Sequence, residues 1–154
     1  MKLIVPTLLH QLDLNDKSDS GSNLNLHLIQ VSDVQNPKDI ITAMRSKNSS
    51  LIECTILDAS HILSLFQIKM ACSKAYLNLS QKNLKSNSIF TEILYSFSPG
   101  SSISDAFKHF GLSATTKHIL ILYIAKSDGQ IVPYLLLILG TRQFEICYQR
   151  YFFG

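Results

Sequence analysis

The chain has 154 residues, a length that fits one domain. Hydrophobic residues make up 46% and charged residues 16%, which excludes disorder as the main state, because Leu and Ile supply ample surface to bury. A net charge of +3 permits an anionic partner without demanding one.

Cysteine usage points the same way. Cys54, Cys72 and Cys147 are odd in number, widely spaced and free of any C-x-x-C, so they form neither a disulfide framework nor a zinc ribbon. That usage suits a reducing compartment. The N-terminal run MKLIVPTLLHQ is too short for a signal h-region and is broken by Pro6. The most apolar stretch, Ile131 to Leu139, is about half the ~20 residues that a spanning helix needs. A soluble intracellular domain without a membrane partner is expected.

In chain order, KLIVPTLLHQLDL is apolar and partly β-prone, and Asn15 to Asn23 reads as a polar loop. Leu24, Leu26 and Leu28 alternate with Asn25, His27 and Ile29, the period of a strand, which predicts a hairpin with the first segment. Asn36-Pro37 opens a helix whose stripe is Ile40, Ile41 and Met44, ended by Lys47 to Ser50. Leu51 to Leu57 predicts a short strand. Asp58 or Ser60 is expected to cap a helix from about His61 to Leu79, buried over a wide face that includes Ile62, Leu65, Phe66, Ile68, Ala71, Cys72 and Ala75.

Ile89 to Phe97 predicts a second strand. Ser102 and Asp105 stand at capping-box spacing ahead of Ile103, Ala106, Phe107 and Phe110, a single helical stripe expected to be buried. Gly111 fits a left-handed helix end. His118 to Ala125 predicts a strand covered on both faces, turning at Lys126 to Gly129 into Gln130 to Leu139, with Pro133 placing that return at an edge. Intermixed strands and helices with hairpin joins give an α+β class: a mainly antiparallel sheet packed against helices.

No catalytic motif emerges. There is no phosphate-binding glycine loop, no G-x-S-x-G and no H-E-x-x-H. The histidines lie singly, so no metal or cofactor is expected. Asp58 and His61 share one turn, where a cap with a neighbouring side chain outweighs an acid–base pair. A small enzyme assembled from Asp58, His61 and His109, or a plain interaction scaffold, stands as the alternative. Cys72 reads as core. Tyr148, Tyr151, Phe152 and Phe153 either form a sticky surface or close the core. Between Asp58 and Glu92 there is no acidic residue, while Lys69, Lys74, Lys82 and Lys85 all fall there. Such a run reads either as a solvated helix flank or as a shallow surface for phosphates.

Several short motifs, taken in order, are more specific than any one alone. They are His10 to Leu14 (His-Gln-Leu-Asp-Leu), Asp33-Val34-Gln35-Asn36, and Phe66 to Ala75 ending in Ala71-Cys72-Ser73-Lys74-Ala75. Thr91-Glu92-Ile93 and Phe97-Ser98-Pro99 follow, then Ile103, Ala106, Phe107, Lys108, Phe110, Gly111 and Leu112. From about His10 to Tyr134 the chain resembles the TPRKB, or kinase-binding, family of small KEOPS (EKC) subunits. The resemblance implies a non-enzymatic α/β subunit that docks on the small-lobe side of an atypical kinase/ATPase. Through that kinase it would support a catalytic subunit that attaches threonylcarbamoyl to the adenosine beside the tRNA anticodon, and it would help to engage tRNA. On this reading Phe97, Ser98, Pro99 and Phe107 face the partner, and Lys69, Lys74, Lys82, Lys85 and Lys108 face tRNA. Nucleus and cytoplasm are the expected locations.

The chain is then one small-subunit-like domain over 1–154 with a divergent tail over 140–154. Family members continue into a further strand and a closing helix, where this sequence reads GTRQFEICYQRYFFG. The fold is therefore expected to be incomplete there. Phe144, Tyr148 and Tyr151, at helical spacing, would cover only part of the sheet.

Overall fold

A computed structural model describes residues 2–12, 24–45, 54–100 and 102–126. Strands β1 (Lys2–Leu12) and β2 (Leu24–Ser32) pair antiparallel, from Lys2 opposite Ser32 to Leu12 opposite Leu24. The expected hairpin partners therefore meet; the loop between them lies outside the described residues. The register slips between Ile4 and Thr7, where Pro6 has no N–H to give. β1 is the outer strand of the sheet, the position where such a gap is tolerated.

Helix α1 (Pro37–Arg45) begins at the proline, whose fixed φ suits a first turn. Strand β3 (Cys54–Asp58) occupies the second half of the expected 51–57 strand. Strand β4 (Ile119–Lys126) lies between β2 and β3, and the four-stranded order is β1-β2-β4-β3, antiparallel throughout. Both ladder edges of β4 are taken from Ile119 to Tyr123, and all five of those side chains are buried. The near-continuous apolar run has its cause there: no side chain of that stretch is more than 7% exposed. The predicted return at Gln130 to Leu139 lies outside the described residues, as do the 140–154 tail and Cys147.

The two sheet faces carry separate cores. Leu26, Leu28, Leu57, Leu120 and Leu122 meet helices α2 (Leu65–Ser80), α3 (Ile89–Phe97) and α4 (Ile103–Phe110). On the other face Ile29, Val31, Ile56, Ile119 and Ile121 meet Val34 and Ile40, with Met44 packed against them.

The expectations for three elements change. The largest is Ile89 to Phe97, predicted as a strand and found as helix α3. Ser88 caps it, accepting from the Thr91 N–H at 3.2 Å. Its one charged residue, Glu92, is buried together with Ile93, Leu94, Tyr95 and Phe97, so the helix presents no exposed charged face. A short apolar run buried this way carries no period that separates helix from strand. Thr55 on β3 donates to the Phe90 carbonyl at 2.9 Å and ties the helix start to the sheet.

Helix α2 starts at Leu65 rather than His61. Ser64 caps it by accepting from the Gln67 N–H, and Gln67 Oε1 accepts in return from the Leu63 N–H at 3.0 Å. This reciprocal pattern is close to a capping box. Asp58 does cap, but it caps the single 3-10 turn Ala59–His61. Ile68, Ala71, Cys72 and Ala75 are buried as expected, whereas Leu65 and Phe66 are exposed. At its end Lys82 takes a left-handed φ of 54°, and the Lys82 and Asn83 N–H groups bond the Leu79 and Asn78 carbonyls. That is a Schellman ending with a lysine in the position usually held by glycine.

On α4 the expected cap is present, Ser102 accepting from the Asp105 N–H. Ala106 is buried, but Ile103 and Phe110 are only half-buried and Phe107 is 46% exposed. Eight residues give two turns, too short for the whole stripe to reach the core. Gly111 is extended (φ −73°, ψ 173°), not left-handed. Its glycine is needed for another reason: a Cβ there would overlap the Phe107 carbonyl to which its own N–H is bonded. Gly111→Ala is expected to lower stability by about 1–3 kcal/mol through this overlap, measured by urea unfolding. A neutral substitution would show that the helix end yields freely.

Candidate functional site

The residues assigned to partners from the sequence fall into three places. Phe97, Ser98 and Pro99 form the end of α3. Phe97 is buried, its ring 5.6 Å from that of Phe110 across the α3–α4 junction. Ser98 closes the helix by donating its N–H to the Tyr95 carbonyl and accepts from the Gly100 N–H. Pro99 and Phe107 are exposed, so of the four assigned partner residues these two present most to a partner.

The lysines divide. Lys69 is half-buried and Lys74 exposed, both on α2. Lys82 and Lys85 are exposed on the loop after α2, and Lys108 is exposed on α4. Lys85 Nζ sits 3.4 Å from the Tyr95 hydroxyl and 5.4 Å over the centre of that ring, a cation–π arrangement. Sequence spacing placed Glu92 at the end of the acid-free run but missed its role. Its carboxylate is fully buried at the hub of this loop. Oε1 accepts from Asn78 at 2.9 Å, and Oε2 accepts from the Lys85 and Ser86 N–H groups at 3.0 Å each and from the Ser86 hydroxyl at 2.8 Å. Burial alone would raise the Glu92 pKa, but these four donors outweigh it and hold the carboxyl below its ordinary value. The loop bearing Lys82 and Lys85 is thus pinned by a carboxylate that shows no charge to solvent. From Ala59 to Ser104 no exposed carboxylate offsets the lysines.

Beside them α2 and the end of α3 form a groove of about 620 Å³. Phe66, Met70 and Leu77 line it from α2, with Lys74 as its charged residue and Ser96 and Phe97 on the α3 side. Sequence reasoning placed part of this α2 face in the core. The missed signal is that the buried set Ile68, Ala71, Cys72 and Ala75 already fills one side of the helix, leaving Phe66, Met70 and Leu77 on the other.

The alternative acid–base set resolves into a cap. Asp58 Oδ1 accepts from the Ser60 N–H and hydroxyl, at 2.9 and 2.5 Å, and Oδ2 accepts from Thr116 at 2.6 Å. Burial pushes the Asp58 pKa up, while these bonds and nearby His61, 3.9 Å away, bring it below the ordinary value. The carboxylate is committed to joining β3 to the loop before β4. His109 is exposed on α4 and makes no hydrogen bond to Asp58 or His61 among the described residues. Burial pushes the Cys54 and Cys72 thiols up to about 12, far from the thiolate form a nucleophile needs. Among the described residues no group of three His, Cys, Asp or Glu could hold a metal ion, and no helix is long and apolar enough to cross a membrane.

Residues 31–142 match the family model described as "Kinase binding protein CGI-121". The EKC/KEOPS complex subunit cgi121 of Aspergillus terreus is 32% identical over 102 residues, covering 66% of this chain and 52% of that protein. The EKC/KEOPS complex subunit TPRKB of Danio rerio is 30% identical over 109 residues, covering 60% of this chain and 62% of its own length. The CGI121 subunit of Kluyveromyces lactis is 28% identical over 120 residues, covering 70% and 73%. The chain thus spans a little over half the length of the Aspergillus relative and somewhat more of the zebrafish one.

Proposed function

Because the chain belongs to the CGI-121 kinase-binding-protein family, we propose that it is a non-catalytic accessory subunit of an EKC/KEOPS assembly. In this reading it binds the atypical kinase/ATPase of that complex, supports threonylcarbamoyladenosine modification of tRNA through it, and helps to engage tRNA. The family match across 31–142 carries the proposal, since it runs from the end of β2 through β4 and includes every helix that surrounds the candidate surface. The commitment of Asp58 and Glu92 to buried hydrogen bonds supports a binding role over the enzyme alternative. Exposed Pro99 and Phe107, at the end of α3 and on α4, are the proposed kinase-facing pair, with Phe97 and Ser98 holding that corner in shape.

Co-purification with the cognate kinase at low salt tests the assignment, with a longer family member as positive control. Retention of the kinase by both is expected; retention by the control alone removes the main support.

The tRNA surface is proposed over Lys82, Lys85 and Lys108; Lys74 lines the apolar groove instead, and Lys69 lies on the other flank of the outer face of α2. If these three bind phosphates, affinity for tRNA falls with salt, and replacing them by Glu lowers the log–log slope by about one unit for each phosphate no longer neutralised. Stability should move by about 0.5 kcal/mol each at Lys82 and Lys108 and by about 1 kcal/mol at Lys85, whose ammonium lies over the Tyr95 ring. An unchanged slope and affinity in the triple variant would take tRNA binding away from this surface.

A further inference from the structure

Helix α2 has two apolar faces, and among the described residues only one is covered. Ile68, Ala71, Cys72 and Ala75 pack into the core shared by the sheet and α3. On the opposite side Phe66 is 70% exposed, Met70 54% and Leu77 54%. Phe66, Met70, Ser73 and Leu77 follow one another at intervals of four, three and four residues, the alternation of a coiled-coil seam. In heptad terms Phe66 and Ser73 take the d positions and Met70 and Leu77 the a positions. Lys69 then falls at g and Lys74 at e, the two positions that flank such a seam. From Phe66 to Leu77 the seam is roughly 16 Å long at 1.5 Å per residue, enough for nearly two heptads of a partner helix.

From this geometry we propose that the outer face of α2 is a docking seam for an acidic amphipathic helix of another chain. Leu-like side chains of that helix fill the groove beside Phe66, Met70 and Leu77, and its Glu or Asp residues meet Lys69 and Lys74. Charge complementarity selects this occupant. Among the described residues Lys69 and Lys74 make no salt bridge, and the run from Ala59 to Ser104 holds no exposed carboxylate. A second copy of this chain is disfavoured by the same arrangement. Parallel pairing sets g against e, and antiparallel pairing sets g against g and e against e. Each places lysine against lysine. The groove is continuous with Ser96 and Phe97, so a seated helix would also cover the end of α3. The proposal specifies the chemistry of the docked element and stands whether or not the kinase and tRNA assignments do.

The probe is a fluorescein-labelled 18-residue synthetic peptide with Leu at a and d and Glu at e and g, against a control carrying Lys at e and g. Anisotropy titrations use the full chain. Expected results are binding of the acidic peptide at least tenfold tighter than the basic one, and loss of at least tenfold with Met70→Asp. K69E/K74E should reverse the preference. Both variants alter side chains away from the core, and an unchanged thermal melt confirms that they fold; Phe66→Ser serves if Met70→Asp does not. Equal binding of the two peptides, binding of neither, or indifference to Met70→Asp overturns the proposal. So does self-association of the chain that Met70→Asp abolishes, which assigns the seam to a second copy. Direct binding of labelled tRNA that depends on Lys69 and Lys74 but not on Met70, with no peptide binding, assigns it to nucleic acid.

Discussion

Glu92→Ala is expected to cost about 3–4 kcal/mol, because it leaves the partly buried Asn78 amide and two backbone N–H groups without their acceptor, each worth roughly 1–3 kcal/mol with partial relief by water, while the Ser86 hydroxyl still has the Ser88 carbonyl within reach. The carboxylate is fully buried and is the meeting point of the end of α2, the 81–88 loop and α3. Glu92→Gln keeps the shape and one acceptor oxygen, which placed at Oε2 would still take the Lys85 and Ser86 bonds. It should cost less, about 1–2 kcal/mol.

Acid separates the two contributions. The folded carboxyl titrates below the ordinary glutamate value of 4.5, so below that value the unfolded chain takes up protons the folded chain refuses. Stabilisation from Glu92 is complete above about pH 4.5 and is lost as pH falls through the depressed folded value. Urea midpoints between pH 3 and 7 should therefore fall less steeply for Glu92→Gln than for the parent. Asp58, depressed for a similar reason, keeps a residual acid slope in that variant. Identical acid slopes in the two proteins would mean that Glu92 is not ionised in the fold.

Much of the sheet was legible because period two survives wherever one face differs from the other, and because β4 is apolar on both faces. The hairpin partners, the start of α1 at Pro37 and the cap of α4 at Ser102 follow from local chemistry that tertiary contacts leave intact. What was not legible has one physical cause. Helix α3 is so extensively buried that its one charged residue, Glu92, faces inward and no charged stripe marks a solvent side, and α2 carries a second apolar face that a sequence cannot distinguish from core. The Ser88 and Ser64 caps were the available signals. Each stands three residues before the N–H it satisfies, Thr91 and Gln67, and either would have corrected an element boundary. Glu92 was visible only as part of a family-like Glu-Ile pair, since nothing in its neighbourhood announces four donors folded around it. The lysines were found as a run, but which of them flank a groove and which ride on the pinned loop depends on the turn geometry at Lys82.

Leu122→Ala and Phe107→Ala form the pair with the sharpest contrast. Leu122 is fully buried on the central strand, opposite Leu28 and Thr55 in the two flanking ladders, on the face covered by the helices. Removing three carbons there opens a cavity between sheet and helices that neighbours on both sides hold open, for an expected loss of about 3–4 kcal/mol. Phe107 read from its helical stripe alone would cost ~3–5 kcal/mol, as a large core residue does. With nearly half its surface already in water, at 46% exposure, it has far less burial to lose. A loss of about 1 kcal/mol or less is expected in place of the core figure. The two variants therefore separate core from surface in one urea titration, and co-purification with the kinase adds the second axis. Leu122→Ala should weaken kinase retention only as far as it unfolds the chain. Phe107→Ala should weaken retention while the fold persists, because a half-exposed aromatic ring gains its remaining burial only when a partner covers it. A melt lowered as far by Phe107→Ala as by Leu122→Ala would return the ring to the core and remove it from the partner surface.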